Sequence, residues 1–126
     1  MADIKETYRT VTPYLVVPDA DAELKFLKDA FGATEQMSQR REDGAVMHAE
    51  IAIGDTLVML AQAGGQWGPR SAAFYLWVSD VDASYARALA AGATSESEPE
   101  DKPYGHRYAG VVDRNGITWW IGAPVK

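Results

Sequence analysis

Tyr14-Leu15-Val16-Val17-Pro18-Asp19-Ala20-Asp21-Ala22 returns later in the chain as Tyr75-Leu76-Trp77-Val78-Ser79-Asp80-Val81-Asp82-Ala83. The two stretches share the pattern Y-L-x-V-x-D-x-D-A at a constant separation of 61 positions. Ala30 is echoed by Ala91, and Gly32-Ala33-Thr34 by Gly92-Ala93-Thr94 once a single residue is dropped. A period near half the chain length implies two copies of one supersecondary unit, not a solenoid of short repeats. The chain is a duplicated module.

Working outward, Val11 to Val17 is a strand rich in Val and Tyr that Pro18-Asp19 ends. Asp19 or Asp21 caps a helix, with Ala20, Leu24, Leu27 and Phe31 on one face and Gly32 as its stop. Thr34 to Arg41 is a polar strand, and Asp43-Gly44 is a hairpin signal. From Ala45 to Ile53 residues alternate, with Met47, Ala49, Ile51 and Ile53 on one side and His48, Glu50 and Ala52 on the other. Thr56 to Ala61 is the last strand of the first unit. The second unit repeats the plan: a strand over 73–78, a helix capped by Asp80 with Val81, Tyr85, Ala88 and Leu89 buried, and strands near 107–112 and 117–122. The acidic run Glu96 to Pro103 reads as a solvated loop. The expected organisation is a single domain over 1–126, with modules at about 10–62 and 72–123 joined by a Gly-rich linker at 63–71. That linker lacks the Gly-Lys-Ser/Thr ending of a phosphate loop.

Composition narrows the function classes. With 126 residues, 47% apolar and 24% charged, the chain suits a globular protein with a real core. A net charge of −6 argues against nucleic acid and favours a cationic or neutral small molecule. There is no cysteine, so neither a disulfide nor a thiolate metal site can form. No apolar leader or membrane-length stretch is visible, which makes the cytoplasm the expected location and a membrane partner unexpected.

Thr12-Pro13-Tyr14-Leu15-Val16-Val17, Phe26 with Ala30-Phe31-Gly32-Ala33, Met47-His48-Ala49-Glu50 and Ile53-Gly54-Asp55 occur in this order. Tyr104-Gly105-His106-Arg107-Tyr108, Asp113, Gly116 and Trp119 follow. Together they resemble the vicinal oxygen chelate superfamily of glyoxalases, bleomycin-resistance proteins and dioxygenases, in particular its PhnB-like branch. The resemblance spans roughly residues 10–122. It implies an α+β fold of tandem βαβββ modules, with antiparallel-rich curved sheets around a concave cavity. It also implies a homodimer with cavities built across modules.

Metal-using members draw ligands, usually His and Glu, from the first and last strand of each module. The matching positions here are Thr12, Met59, Ala73 and Trp120. None offers an imidazole or carboxylate, so no metal and no other cofactor is expected. By strand parity Tyr14 and Met59 face the cavity, with Tyr75, Trp77 and Trp120 opposite; His48 and Glu50 turn inward and Tyr108 joins them if the register holds. These eight residues are the candidate ligand-binding set, with His48 and Glu50 the candidate catalytic pair. The bland readings are that the aromatics fill a collapsed core and that His48–Glu50 is a structural hydrogen bond. A third is that the pair binds metal with His106. Arg107 is as readily a loop-stabilising ion pair as a ligand contact. The sequence favours a metal-free binder of an aromatic or cationic, antibiotic-like molecule. A lyase or isomerase using His48 and Glu50 is the alternative, and a purely structural role has no positive feature.

Overall fold

The computed structural model describes residues 11–65, 68–69 and 72–125. The first repeat copy forms β1 (Tyr14–Val17), α1 (Ala20–Phe31), β2 (Thr34–Arg40), β3 (Val46–Ile53) and β4 (Thr56–Gln62). The second forms β5 (Ala73–Trp77), α2 (Val81–Ala90), β6 (Thr94–Asp101), β7 (His106–Val112) and β8 (Thr118–Pro124). The strands make two four-stranded sheets of the same order, β1-β4-β3-β2 and β5-β8-β7-β6. In each, the first strand runs parallel to the last, and the other pairs are antiparallel. This is the α+β fold of tandem βαβββ modules. Part of the stretch expected as linker, including Gln66 and Trp67, lies outside the described residues.

The repeated aspartates explain why strand gives way to helix at matching places. Asp19 and Asp80 sit in extended backbone, and their carboxylates accept from the backbone N–H of Ala22 and Ala83 at 3.0 and 3.1 Å. Each satisfies a helix donor that would otherwise be unpaired. Gly32 closes α1 in the left-handed region at φ +66°, where a side chain would be strained. Leu24, Leu27 and Ala30 of α1 share one core with Leu15, Ile51 and Leu60 of the first sheet. Val81 and Ala88 join the same core beside Val111, Trp119 and Ile121.

The two halves meet helix side to helix side. Phe31 packs on Trp119 at 5.1 Å between ring centroids, and Arg87 donates to the Asp29 carbonyl at 3.2 Å. A buried polar cluster completes this seam. Asn115, in the turn between β7 and β8, donates through Nδ2 to the Asp19 carbonyl and to Glu23 Oε1, both at 2.9 Å. Asp113 accepts from the N–H groups of Asn115, Ile117 and the Trp119 indole.

Two expectations need correction. The acidic run is not a loop: residues 94–101 form β6, the edge strand of the second sheet. An edge strand needs only one ladder of hydrogen bonds and profits from charges that discourage further pairing, so Glu96, Glu98 and Glu100 are no obstacle. Pro99 falls where the β6–β7 register jumps from Ser97 to Glu100, and its missing N–H costs nothing there. Met47 was placed against the helix, but it is 48% exposed, and Val46 fills the core position instead. The β2–β3 register jumps between Gln39–His48 and Arg40–Val46. One extra residue in β3 turns Met47 outward beside His48, as bulges do.

Candidate functional site

With the helices on one side of each sheet, the opposite sides are left open. On the first sheet Tyr14, Met59 and Glu50 lie side by side across β1, β4 and β3. His48 Nε2 stands 3.2 Å from Glu50 Oε2, and the Tyr14 ring lies 5.8 Å from the imidazole. Glu50 is buried and His48 half-buried. At the neighbouring end, Tyr14, Val16, Arg41, Met47, Ala61 and Gln62 line a concavity of about 610 Å³.

The second sheet presents rings. Tyr75 and Trp77 are 4.7 Å apart, Trp77 meets the His106 ring at 5.2 Å, and His106 meets Tyr104 at 5.6 Å. Tyr108 stacks on Trp120 at 5.6 Å with 17° between planes, and Lys102 Nζ sits 4.9 Å from the Tyr108 centroid. Two glycines make this platform flat. Tyr75 lies directly over Gly122 and Trp120 over Gly110, so closely that neither glycine has room for a Cβ. Burial first, then Tyr104 and Tyr108, pushes the Tyr75 hydroxyl pKa up, which keeps it a neutral donor. Tyr75, Trp77 and Tyr104 are 42%, 60% and 64% exposed, so these rings do not fill a core.

The eight candidate residues therefore fall into two groups, not one. Tyr14, His48, Glu50 and Met59 gather on the first sheet, and Tyr75, Trp77, Tyr108 and Trp120 on the second. Among the described residues no ring contact links the two groups. His106 belongs with Trp77, and His48 with Glu50. Among the described residues, no three His, Cys, Asp or Glu side chains cluster as a metal site would need, which removes the His48–Glu50–His106 grouping. At Thr12, Met59, Ala73 and Trp120, a hydroxyl, a thioether, a methyl and an indole do not fit a divalent cation. Arg107 is a structural clamp: its Nε and Nη2 bind Asp82 at 3.0 and 2.8 Å and its Nη1 binds Asp101 at 3.0 Å. The hydrogen bonds from Arg107 hold the Asp82 carboxyl below its usual range. Arg41, Lys102 and Tyr104 were missed as site residues. Aromatic and basic side chains outside regular elements carry no periodic signal.

Open, ring-lined faces on a duplicated βαβββ scaffold define a protein of the glyoxalase-like class. The Glyoxalase/Bleomycin resistance protein/Dioxygenase superfamily model matches residues 8–121, and the chain belongs to that superfamily. Uncharacterized proteins from Mycobacterium bovis and Mycobacterium tuberculosis are 37% identical over 92% of this chain and 84% or 75% of their own length. TioX from Micromonospora sp. ML1 superposes with a TM-score of 0.79 at 28% identity, covering 94% of this chain and all of that one. A putative 3-demethylubiquinone-9 3-methyltransferase, PhnB protein, from Bacillus cereus shares the fold, with a TM-score of 0.72 at 15% identity over 91% and 99% of the two chains. No described helix is long and apolar enough to cross a membrane.

Proposed function

We propose that this protein is a metal-free binder of flat aromatic small molecules, working in the cytoplasm by sequestration as bleomycin-resistance proteins do. The observation that carries the reading is the second-sheet platform. Trp77, Tyr104 and Tyr75 are exposed at a real cost in water, and two glycines with no room for a side chain hold the neighbouring rings flat. A contiguous exposed aromatic surface of this kind normally marks a binding site. On the first sheet, His48 and Glu50 supply a hydrogen-bonding point that would fix a ligand's orientation.

Each face is half of a cavity. A second copy of the chain, laid with its ring platform over the first sheet's concavity, makes two identical sites about a twofold axis. Light scattering should therefore give twice the 13.7 kDa of one chain. A single-chain mass with ligand binding intact would sink the dimer.

A thermal-shift screen of aromatic antibiotics and divalent metals finds the working ligand, because binding to the native state raises the melting temperature. Bound ligand should then quench Trp fluorescence, and Trp120→Ala should weaken binding by about tenfold or more through loss of a stacking partner. His48→Ala and Glu50→Ala should change affinity alone. The second reading, a lyase or isomerase, rests on the 3.2 Å His48–Glu50 contact, which has the geometry of an acid–base pair. It gains the field if turnover collapses in those two variants while affinity holds, or if one equivalent of metal survives dialysis and is lost in His48→Ala.

A further inference from the structure

We propose that Arg41 anchors an acidic or strongly accepting group on the aromatic ligand, so that the molecule taken is a planar ring bearing a carboxylate or similar oxyanion. The inference rests on the small-molecule reading above and names the chemical class that reading leaves open.

Two successive arginines leave β2 in opposite directions. Arg40 turns to the helix side, where its Nη1 and Nη2 bind Asp21 at 3.2 and 2.6 Å and its Nη1 also holds the Gly44 carbonyl at 2.8 Å. Arg41 turns the other way and lines the concavity with Tyr14, Val16 and Met47. Successive side chains of an extended strand point to opposite sides, which gives this alternation. The backbone there is fixed, since Arg41 N–H donates to Ala45 and Arg41 C=O accepts from Gly44 at 2.8 and 2.9 Å.

Its guanidinium is presented, not spent. Both terminal nitrogens lie 3.6–3.7 Å from where a Cβ of Gly64 would stand, so the plane rests on bare backbone beyond β4. Nε is enclosed and has no hydrogen-bond partner among the described residues. The ion-pair contact Arg41 makes is to Asp43 Oδ1, at 3.8 Å, which is too far for a hydrogen bond. Among the described residues, Arg40, Arg87 and Arg107 are by contrast closed by hydrogen bonds, to Asp21, to Asp29 and to Asp82 and Asp101. A guanidinium edge with no hydrogen-bond partner among the described residues, beside a tyrosine ring and a methionine, is matched by a carboxylate on an aromatic ring.

The net charge of −6 pulls the other way, toward cations. It acts at long range and is screened over about 8 Å in physiological salt, whereas the guanidinium acts at contact. The carboxylates near the concavity are Asp43, whose Arg41 contact is loose, and Glu50, which faces His48.

The test uses three matched probes of one ring system: 2-naphthoate, 2-naphthamide and 2-naphthylmethylammonium. Affinities are read by Trp quenching and calorimetry on the full chain. Naphthoate should bind about tenfold tighter than the amide, as a charge-assisted pair implies. Arg41→Ala should erase that ratio without changing the melting temperature, since its side chain makes no hydrogen bond among the described residues. Arg41→Lys should keep part of it, because the charge remains while the fork is lost. Equal binding of acid and amide, an unchanged ratio in Arg41→Ala, or tightest binding by the ammonium probe each overturns the role of Arg41 and leaves the cavity reading standing. If no probe binds at millimolar concentration, the cavity reading falls and takes this inference with it.

Discussion

The melting temperature of this protein should fall as the pH rises from about 5 to about 8.5, and Glu23→Gln should flatten that slope. Glu23 is fully buried at the seam between the two halves. One of its oxygens accepts from Asn115 Nδ2, but Oε2 has no hydrogen-bond donor among the described residues. Burial, with the neighbouring Asp113 carboxyl second, pushes the Glu23 pKa up from 4.5 to about 9, against a smaller lowering by Asn115. A proton on Glu23 resolves both problems, because it satisfies the orphaned oxygen and gives Asp113 a donor in place of a second charge.

The sign follows from proton counting. Between the unfolded and folded pKa values, the native state holds a proton that the unfolded state has released. Stability is therefore fully present below about 4.5 and is lost as pH rises toward about 9. The steepest possible slope is about 1.4 kcal/mol per pH unit, or several degrees of melting temperature in a chain of this size. In Glu23→Gln the amide keeps an acceptor for Asn115 and a donor toward Asp113, with nothing to titrate. The variant should match the parent near pH 5 and exceed it by about 2 kcal/mol or more near pH 8. Denaturation at a series of pH values decides this. A flat parent profile, or a slope that Glu23→Gln leaves intact, refutes the assignment.

Glu23 also marks where sequence reading stopped. The fold was legible because the repeat fixes it twice over: Asp19 and Asp80 cap, and the strands on either side share one order. Residues 94–101 were misread because a strand was sought by an apolar face, and an edge strand of glutamates has none. Met47 was misplaced because alternation assumes one residue per register step, and a bulge breaks that count without any local signature. The side of the sheet that each candidate ring occupies was legible from alternation. Parity says which side of its own sheet a ring occupies, not how two sheets face. The Glu23–Asn115–Asp19 bonds span more than 90 positions, and nothing in a helix pattern announces that an acid at a core position will meet an asparagine turn.

Gly110→Ala should damage ligand binding more than loss of any single polar group on the face. A Cβ at this position would stand 2.5 Å from Trp120 Cζ3 and 2.7 Å from Cε3. Both β7 backbone and indole are held, since Gly110 pairs with Trp120 across the ladder and Tyr108 stacks on the same ring. The methyl therefore cannot be absorbed by a small shift; the indole has to rotate off the sheet. Overpacking of this kind costs about 1–3 kcal/mol of stability. The larger consequence is for the platform. With Trp120 lifted, the Tyr108 stack is broken and the surface beside Tyr75 and Trp77 is no longer flat, so a planar ligand loses two contacts at once. Affinity should fall by more than the tenfold expected for Trp120→Ala, because a displaced indole obstructs the site and a missing one leaves space. The double variant Gly110→Ala/Trp120→Ala separates the causes. Removing the obstructing ring should restore binding to the level of Trp120→Ala alone, which traces the loss in Gly110→Ala to the clash between its methyl and the indole. If Gly110→Ala binds as tightly as the parent, with an unchanged Trp emission spectrum, then the indole does not lie on this face in solution and the platform is not the binding surface.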